Sequence, residues 1–128
     1  MSELDAAAVV TVASDVVRGV PVLRVAGEID ANVADEVRRA LLPWLDGLRG
    51  PGVLDLTGVR FMASTGLSLL VEAARRGRAR LVLATAQRGV LRPLQLTGMS
   101  ALLPTHPTVD LAVDAQRGAD LTRMPSTA

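Results

Sequence analysis

The chain has 128 residues, of which 49% are hydrophobic but only 2% aromatic, and a formal net charge of +1 at pH 7. That length suits one domain with its own core, and so small a charge excludes a global field drawing the chain to nucleic acid or an acidic membrane. The absence of cysteine removes disulfides, thiolate metal sites and cysteine nucleophiles together. No basic-plus-apolar leader opens the sequence, and Arg, Asp or Gly interrupts every apolar run well short of a membrane span, so the expectation is a soluble, cytoplasmic chain.

Val9–Ala13 and Val20–Ala26 are rich in β-branched residues and flank "SDVVRGVP", which predicts a β-hairpin. "GEID" (Gly27–Asp30) ends the second strand. From Ala31 the apolar residues Val33, Val37, Leu41, Trp44 and Leu48 recur three or four apart, as on one helix face, with Trp44 on the core side. Pro43 falls inside that pattern and either breaks or kinks the helix. Val53–Leu56 reads as a short buried strand. A second helix carries Leu67, Leu70, Val71 and Ala74 and stops at Gly77. "RLVLAT" (Arg80–Thr85) is the next strand. A third helix bears Val90, Leu91 and Leu94, with Pro93 tolerable only in its first turn. "LLPTH" (Leu102–His106) supplies a last short strand, and Thr108 is placed to N-cap a final helix carrying Val109, Ala112 and Val113. Strands alternating with helices after a hairpin define an α/β domain: a mixed sheet of about four to five strands flanked by about four helices. The domain is expected to span residues 1–117, with 118–128 a polar, aperiodic, flexible tail.

The segment "FMASTGLSLL" (Phe61–Leu70) places two adjacent hydroxyls and a glycine where a strand should pass into a helix. A helix start leaves N–H groups unpaired and carries partial positive charge. On one reading Ser64 is the N-cap, Thr65 assists it and Gly66 allows close packing, with Phe61 and Met62 buried beneath. On the other, the same unpaired donors and dipole would receive a phosphate on Ser64, changing the sign of the surface without unravelling the domain.

The run "DLTGVRFMASTGLSLL" resembles the signature of STAS domains, specifically of bacterial anti-sigma factor antagonists, and "GEID" matches the same family's Gly-Glu-Leu-Asp. "LQLTGM" and "HPTVDLAV" resemble its later segments, so the likeness covers residues 9–116. The resemblance implies a non-enzymatic switch protein that needs no cofactor. It binds an anti-sigma factor, itself a serine kinase of the histidine-kinase-like ATPase fold, and so frees a sigma factor. The kinase ends the binding by phosphorylating a serine, and a serine phosphatase resets it. Carried onto this chain, the phosphoacceptor is Ser64, and the partner surface comprises Glu28, Asp30, Ala63, Ser64, Thr65 and Gly66. The family commonly has Asp just before the phosphoserine, where this chain has Ala63. The alternative is a phosphorylation-independent STAS scaffold, or a module binding a small ligand or nucleotide.

Competing chemistry finds little support. A Ser64–His106 pair with Asp30, Asp55 or Asp110 as its acid lacks the Gly-x-Ser-x-Gly elbow of hydrolases. One histidine and scattered carboxylates leave no metal-ligand spacing, and no Gly-x-Gly-x-x-Gly or Walker loop occurs. "ARRGRAR" (Ala74–Arg80) has four arginines but no interleaved aromatic, and cations there complement a helix C-terminus. Asp55 at a strand end reads as structural.

Overall fold

The computed structural model describes residues 10–77 and 80–123, with side chains through 118. The hairpin pairs β1 (Thr11–Val17) antiparallel to β2 (Val20–Ala26). Its turn is only Arg18-Gly19, both at positive φ (47° and 83°), the backbone that matches the right-handed twist of the flanking strands. The remaining strands, β3 (Gly52–Gly58), β4 (Leu81–Ala84) and β5 (Thr105–His106), join in parallel in the order β1-β2-β3-β4-β5. This is the mixed five-stranded α/β sheet that the alternation of patterns predicted.

Among the described residues four α-helices connect or flank these strands: α1 (Ala34–Asp46), α2 (Ser64–Gly77), α3 (Arg88–Leu96) and α4 (Val109–Arg123). Period-two alternation along the strands divides the core. Leu23, Val25, Leu54, Leu56, Leu81 and Leu83 face α1, α2 and α3, meeting Val37, Leu41, Leu45, Leu69, Leu70, Ala73, Val90 and Leu94. Val20, Val22, Val53, Val82 and Ala84 point the other way, onto Ala112 and Val113 of α4. β3 is buried on both sides through Leu56, which explains its unbroken apolar run.

Neither proline ends its helix. α1 runs through Pro43 to Asp46, and the ring lies on the exposed side. Pro93 is the sixth residue of α3 rather than a first-turn residue. Its carbonyl accepts from the Thr97 amide and hydroxyl, which close the helix end. Thr108 does cap α4: its Oγ1 accepts the Leu111 N–H at 3.1 Å. That helix continues to Arg123, through positions 118–123 that composition assigned to a tail; 124–128 lie outside the described residues.

At the end of the sheet bearing the hairpin turn, polar side chains are tied down. Arg18 donates to the Asp110 carbonyl and to both the Asp110 and Asp114 carboxylates. Arg117 donates to the Arg18 carbonyl at 2.6 Å. The buried Gln116 amide reaches the carbonyls of Gly52 (2.7 Å) and Arg80 (2.8 Å), locking α4 to the starts of β3 and β4.

Candidate functional site

At the opposite end, the chain leaves β3 and meets the loop that follows β2. Ile29 and Met62 form an isolated parallel bridge, with Ile29 N–H donating to Phe61 O (3.2 Å) and Ala63 N–H to Ile29 O (2.9 Å). Both side chains are buried, so two backbones and two apolar side chains clamp the junction from below. Gly66 lets α2 sit directly on this clamp. A Cβ there would come within 3.0 Å of Met62 Cβ and Cγ and 3.1 Å of Ile29 Cγ2.

The junction therefore brings "GEID" against "MASTG", as their sequence motifs require if they form one surface. The capping assignment needs correction. The Ala63 carbonyl accepts the N–H groups of Gly66 (2.9 Å) and Leu67 (3.2 Å), so Ala63 holds the cap position and Ser64 is the first helical residue. Ser64 is exposed, and its hydroxyl makes no hydrogen bond among the described residues. The N–H groups of Ser64 and Thr65 likewise have no acceptor among them. One turn of sequence thus presents a free hydroxyl beside free donors at the positive end of a 14-residue helix.

Thr65 does not assist a cap either. Its Oγ1 is out of contact with solvent yet has no hydrogen-bond partner, a costly state for a hydroxyl. It lines a groove of about 230 Å³ between α1 and α2, together with Asp35, Arg38, Ser68 and Glu72. Across that groove Arg38 grips Glu72 with two hydrogen bonds, Nε to Oε1 at 3.0 Å and NH2 to Oε2 at 2.9 Å. That guanidinium holds the Glu72 carboxyl below the usual carboxylate range and is itself raised.

Glu28 is exposed with no bond among the described residues, whereas Asp30 is half-buried and occupied. Its Oδ1 accepts the Asn32 N–H at 2.9 Å, and its carbonyl accepts from Val33 and Ala34, organising the turn into α1. Asp30 therefore shapes the loop as well as standing on it.

Phe61 overturns the expectation that it packs beneath the junction. Met62 is buried at 3% exposure, but Phe61 is 52% exposed. It pairs in an isolated parallel bridge with Gly89 at the start of α3. Only glycine fits there, because a Cβ would sit 2.1 Å from the Arg60 carbonyl oxygen. Hydrophobicity alone put Phe61 in the core; no local periodicity distinguishes it from Met62.

The other candidates scatter. His106 lies on β5, two strands from β3, at roughly 10 Å of sheet width from the strand that leads to Ser64. Asp55 is buried and structural. Its Oδ1 accepts the Thr57 N–H (2.9 Å) and hydroxyl (2.6 Å), and its Oδ2 accepts from Arg24 (3.2 Å). Arg24 also donates to Asp15, whose carboxyl it holds below the usual range. Of the arginine cluster, Arg76 ties α2 to Asp46 of α1 at 3.0 and 3.1 Å, and Arg78 lies outside the described residues. Among the described residues there is no group of three or more His, Cys, Asp or Glu side chains arranged to hold a metal, and no helix long and apolar enough to cross a membrane.

This fold is that of a known family. The STAS domain profile matches residues 11–112, and the chain belongs to that family. The protein Rv2638 of Mycobacterium tuberculosis, provisionally named an anti-anti-sigma factor, is 35% identical over 92 residues, covering 68% of this chain and 62% of the relative's length. The chain thus matches less than two thirds of that protein. A crystal structure of an anti-sigma factor antagonist from Mycobacterium paratuberculosis superposes with a TM-score of 0.79 at 29% identity, covering 85% of this chain and 95% of the other. A STAS domain protein from Planctomyces limnophilus shares the fold at 19% identity, with a TM-score of 0.71 and coverage of 82% and 96%.

Proposed function

We propose that the chain is an anti-sigma factor antagonist, a non-enzymatic cytoplasmic protein whose binding surface is the rim formed by Glu28, Asp30 and Ala63–Gly66. Its partner is an anti-sigma factor with a serine-kinase, histidine-kinase-like ATPase fold, and binding releases a sigma factor. Phosphorylation of Ser64 ends the binding, and a serine phosphatase restores it. The observation that carries this reading is the Ser64 hydroxyl, exposed and unbonded on the first residue of α2. The names borne by the mycobacterial relatives support it.

The physics of the switch is local. A phosphate adds about −1.5 to −2 charges and three acceptor oxygens where N–H donors and the helix dipole already wait. The domain keeps its fold, because Ser64 holds nothing together. A partner that fitted the neutral rim meets repulsion and desolvation cost instead.

Incubation with the cognate kinase and ATP adds one phosphate by intact mass, and Ser64→Ala abolishes the addition while leaving the unfolding midpoint unchanged. Kinase binding without phosphate transfer would instead favour a phosphorylation-independent STAS module, a reading that rests on Ala63 standing where the family commonly carries a carboxylate.

A further inference from the structure

The chain has one phenylalanine and one tryptophan, and it spends the phenylalanine on the surface. This exposure is imposed by the fold. Val59, two positions before it, and Met62, the next residue, are buried at 0% and 3% exposure. The Phe61 carbonyl is held by Ile29 N–H, and its backbone is pressed against Gly89 with no room for a Cβ. With the main chain gripped from both sides, the ring cannot fold back into the core. The result is an aromatic on a held backbone, half exposed at the end of the sheet that carries Ser64.

The other large exposed apolar residues lie elsewhere: Val16 on the β1 edge, Leu111 on α4, Leu96 at the far end of α3 and Leu102 beyond it. Three peptide units separate Phe61 from Ser64, so their Cα atoms are no more than about 11 Å apart. A standard interface covers about 800 Å² on each partner, a disc of about 16 Å radius. A partner surface of ordinary size centred on the Ser64 hydroxyl therefore reaches Phe61 as well. Around the ring the exposed charges are mixed, with Glu28 on one side and Arg60 and Arg88 on the other. Charge alone gives that rim little net attraction, whereas an aromatic with two side-chain torsions on a backbone already held loses little entropy on binding.

We propose that Phe61 is the apolar anchor of the partner surface, inserting into an apolar pocket of the anti-sigma kinase beside the site that receives Ser64. This rests on the antagonist reading and adds to it the residue that supplies affinity, separate from the residue that switches it. The polar rim then orients and discriminates, and the ring holds.

The test is calorimetric titration of the full chain against each purified histidine-kinase-like anti-sigma kinase of its source organism. Phe61→Ala and Phe61→Leu are then titrated against the kinase that the wild type binds. Phe61→Ala is expected to weaken the dissociation constant about 30-fold or more, Phe61→Leu to recover part of the loss, and both to melt with the wild type. A wild-type complex that Phe61→Ala leaves within about threefold overturns the anchor and spares the antagonist reading. A marked fall in the melting temperature of Phe61→Ala would mean that the ring is packed in solution, and also overturns it. Wild-type binding to none of the kinases defeats both.

Discussion

The two ends of the sheet obey different rules. At the hairpin end polar side chains tie one element to another: Arg18 to Asp110 and Asp114, Arg117 to a carbonyl, and Gln116 to two carbonyls at once. At the junction end Ser64 and Glu28 are unbonded, the Thr65 hydroxyl is buried without a partner, and a phenylalanine stands in water. One end is built to hold together and the other leaves bonding capacity unspent. The unpaired hydroxyls gathered beside the start of α2 mark where a second molecule can complete the fold.

The sharpest way to probe that contrast is to damage the satisfied end. Gln116→Leu removes the amide shared by the Gly52 and Arg80 carbonyls and leaves both short of a donor in a buried setting. It is expected to cost about 2 kcal/mol of unfolding free energy, read by urea denaturation, with kinase binding unchanged at temperatures where the domain is folded. No loss of stability would mean that the hairpin end is not the structural one.

At the junction end the sign reverses. Thr65→Val keeps the shape and deletes a buried hydroxyl that bonds to nothing, so stability should rise by about 1 kcal/mol. A loss in the same denaturation assay would show that the hydroxyl does find a partner in solution, and the two ends would then differ less than described.

The smallest effect belongs to the ion pair between α1 and α2. Because Arg38 holds the Glu72 carboxyl below its ordinary value of 4.5 in the folded chain, the unfolded chain binds that proton more readily. The contribution is therefore present above the ordinary value and fades as pH falls through the lower folded one. Solvent screens the pair, so Glu72→Gln should lower the melting temperature slightly at pH 7. The gap between variant and wild type should close on acidification below 4.5. A gap that stays constant in acid would remove the ion pair as its cause.

Much of this was legible in the sequence because it depends on local periodicity. The alternation of strand and helix patterns, the Thr108 cap, the glycine at position 66 and the pairing of "GEID" with "MASTG" all follow from spacing or motif, and the structure places them accordingly. What failed were assignments made by residue type alone. Ser64 has cap chemistry but sits one position inside the helix, because the Ile29–Met62 bridge sets where α2 begins. Phe61 has core chemistry but faces water, because the Gly89 contact leaves its backbone one orientation. Pro93 has breaker chemistry but is carried in mid-helix, with Thr97 closing the end behind it.

By itself the sequence determined the elements, their order and the two motifs that must meet, since each of these is written in the side chains of neighbouring residues. Which hydroxyl stands free, which is buried without a partner and which aromatic is turned outward were decided only when strands and helices from distant parts of the chain packed together. Backbone contacts between segments tens of residues apart set those orientations, and no local pattern records such a contact.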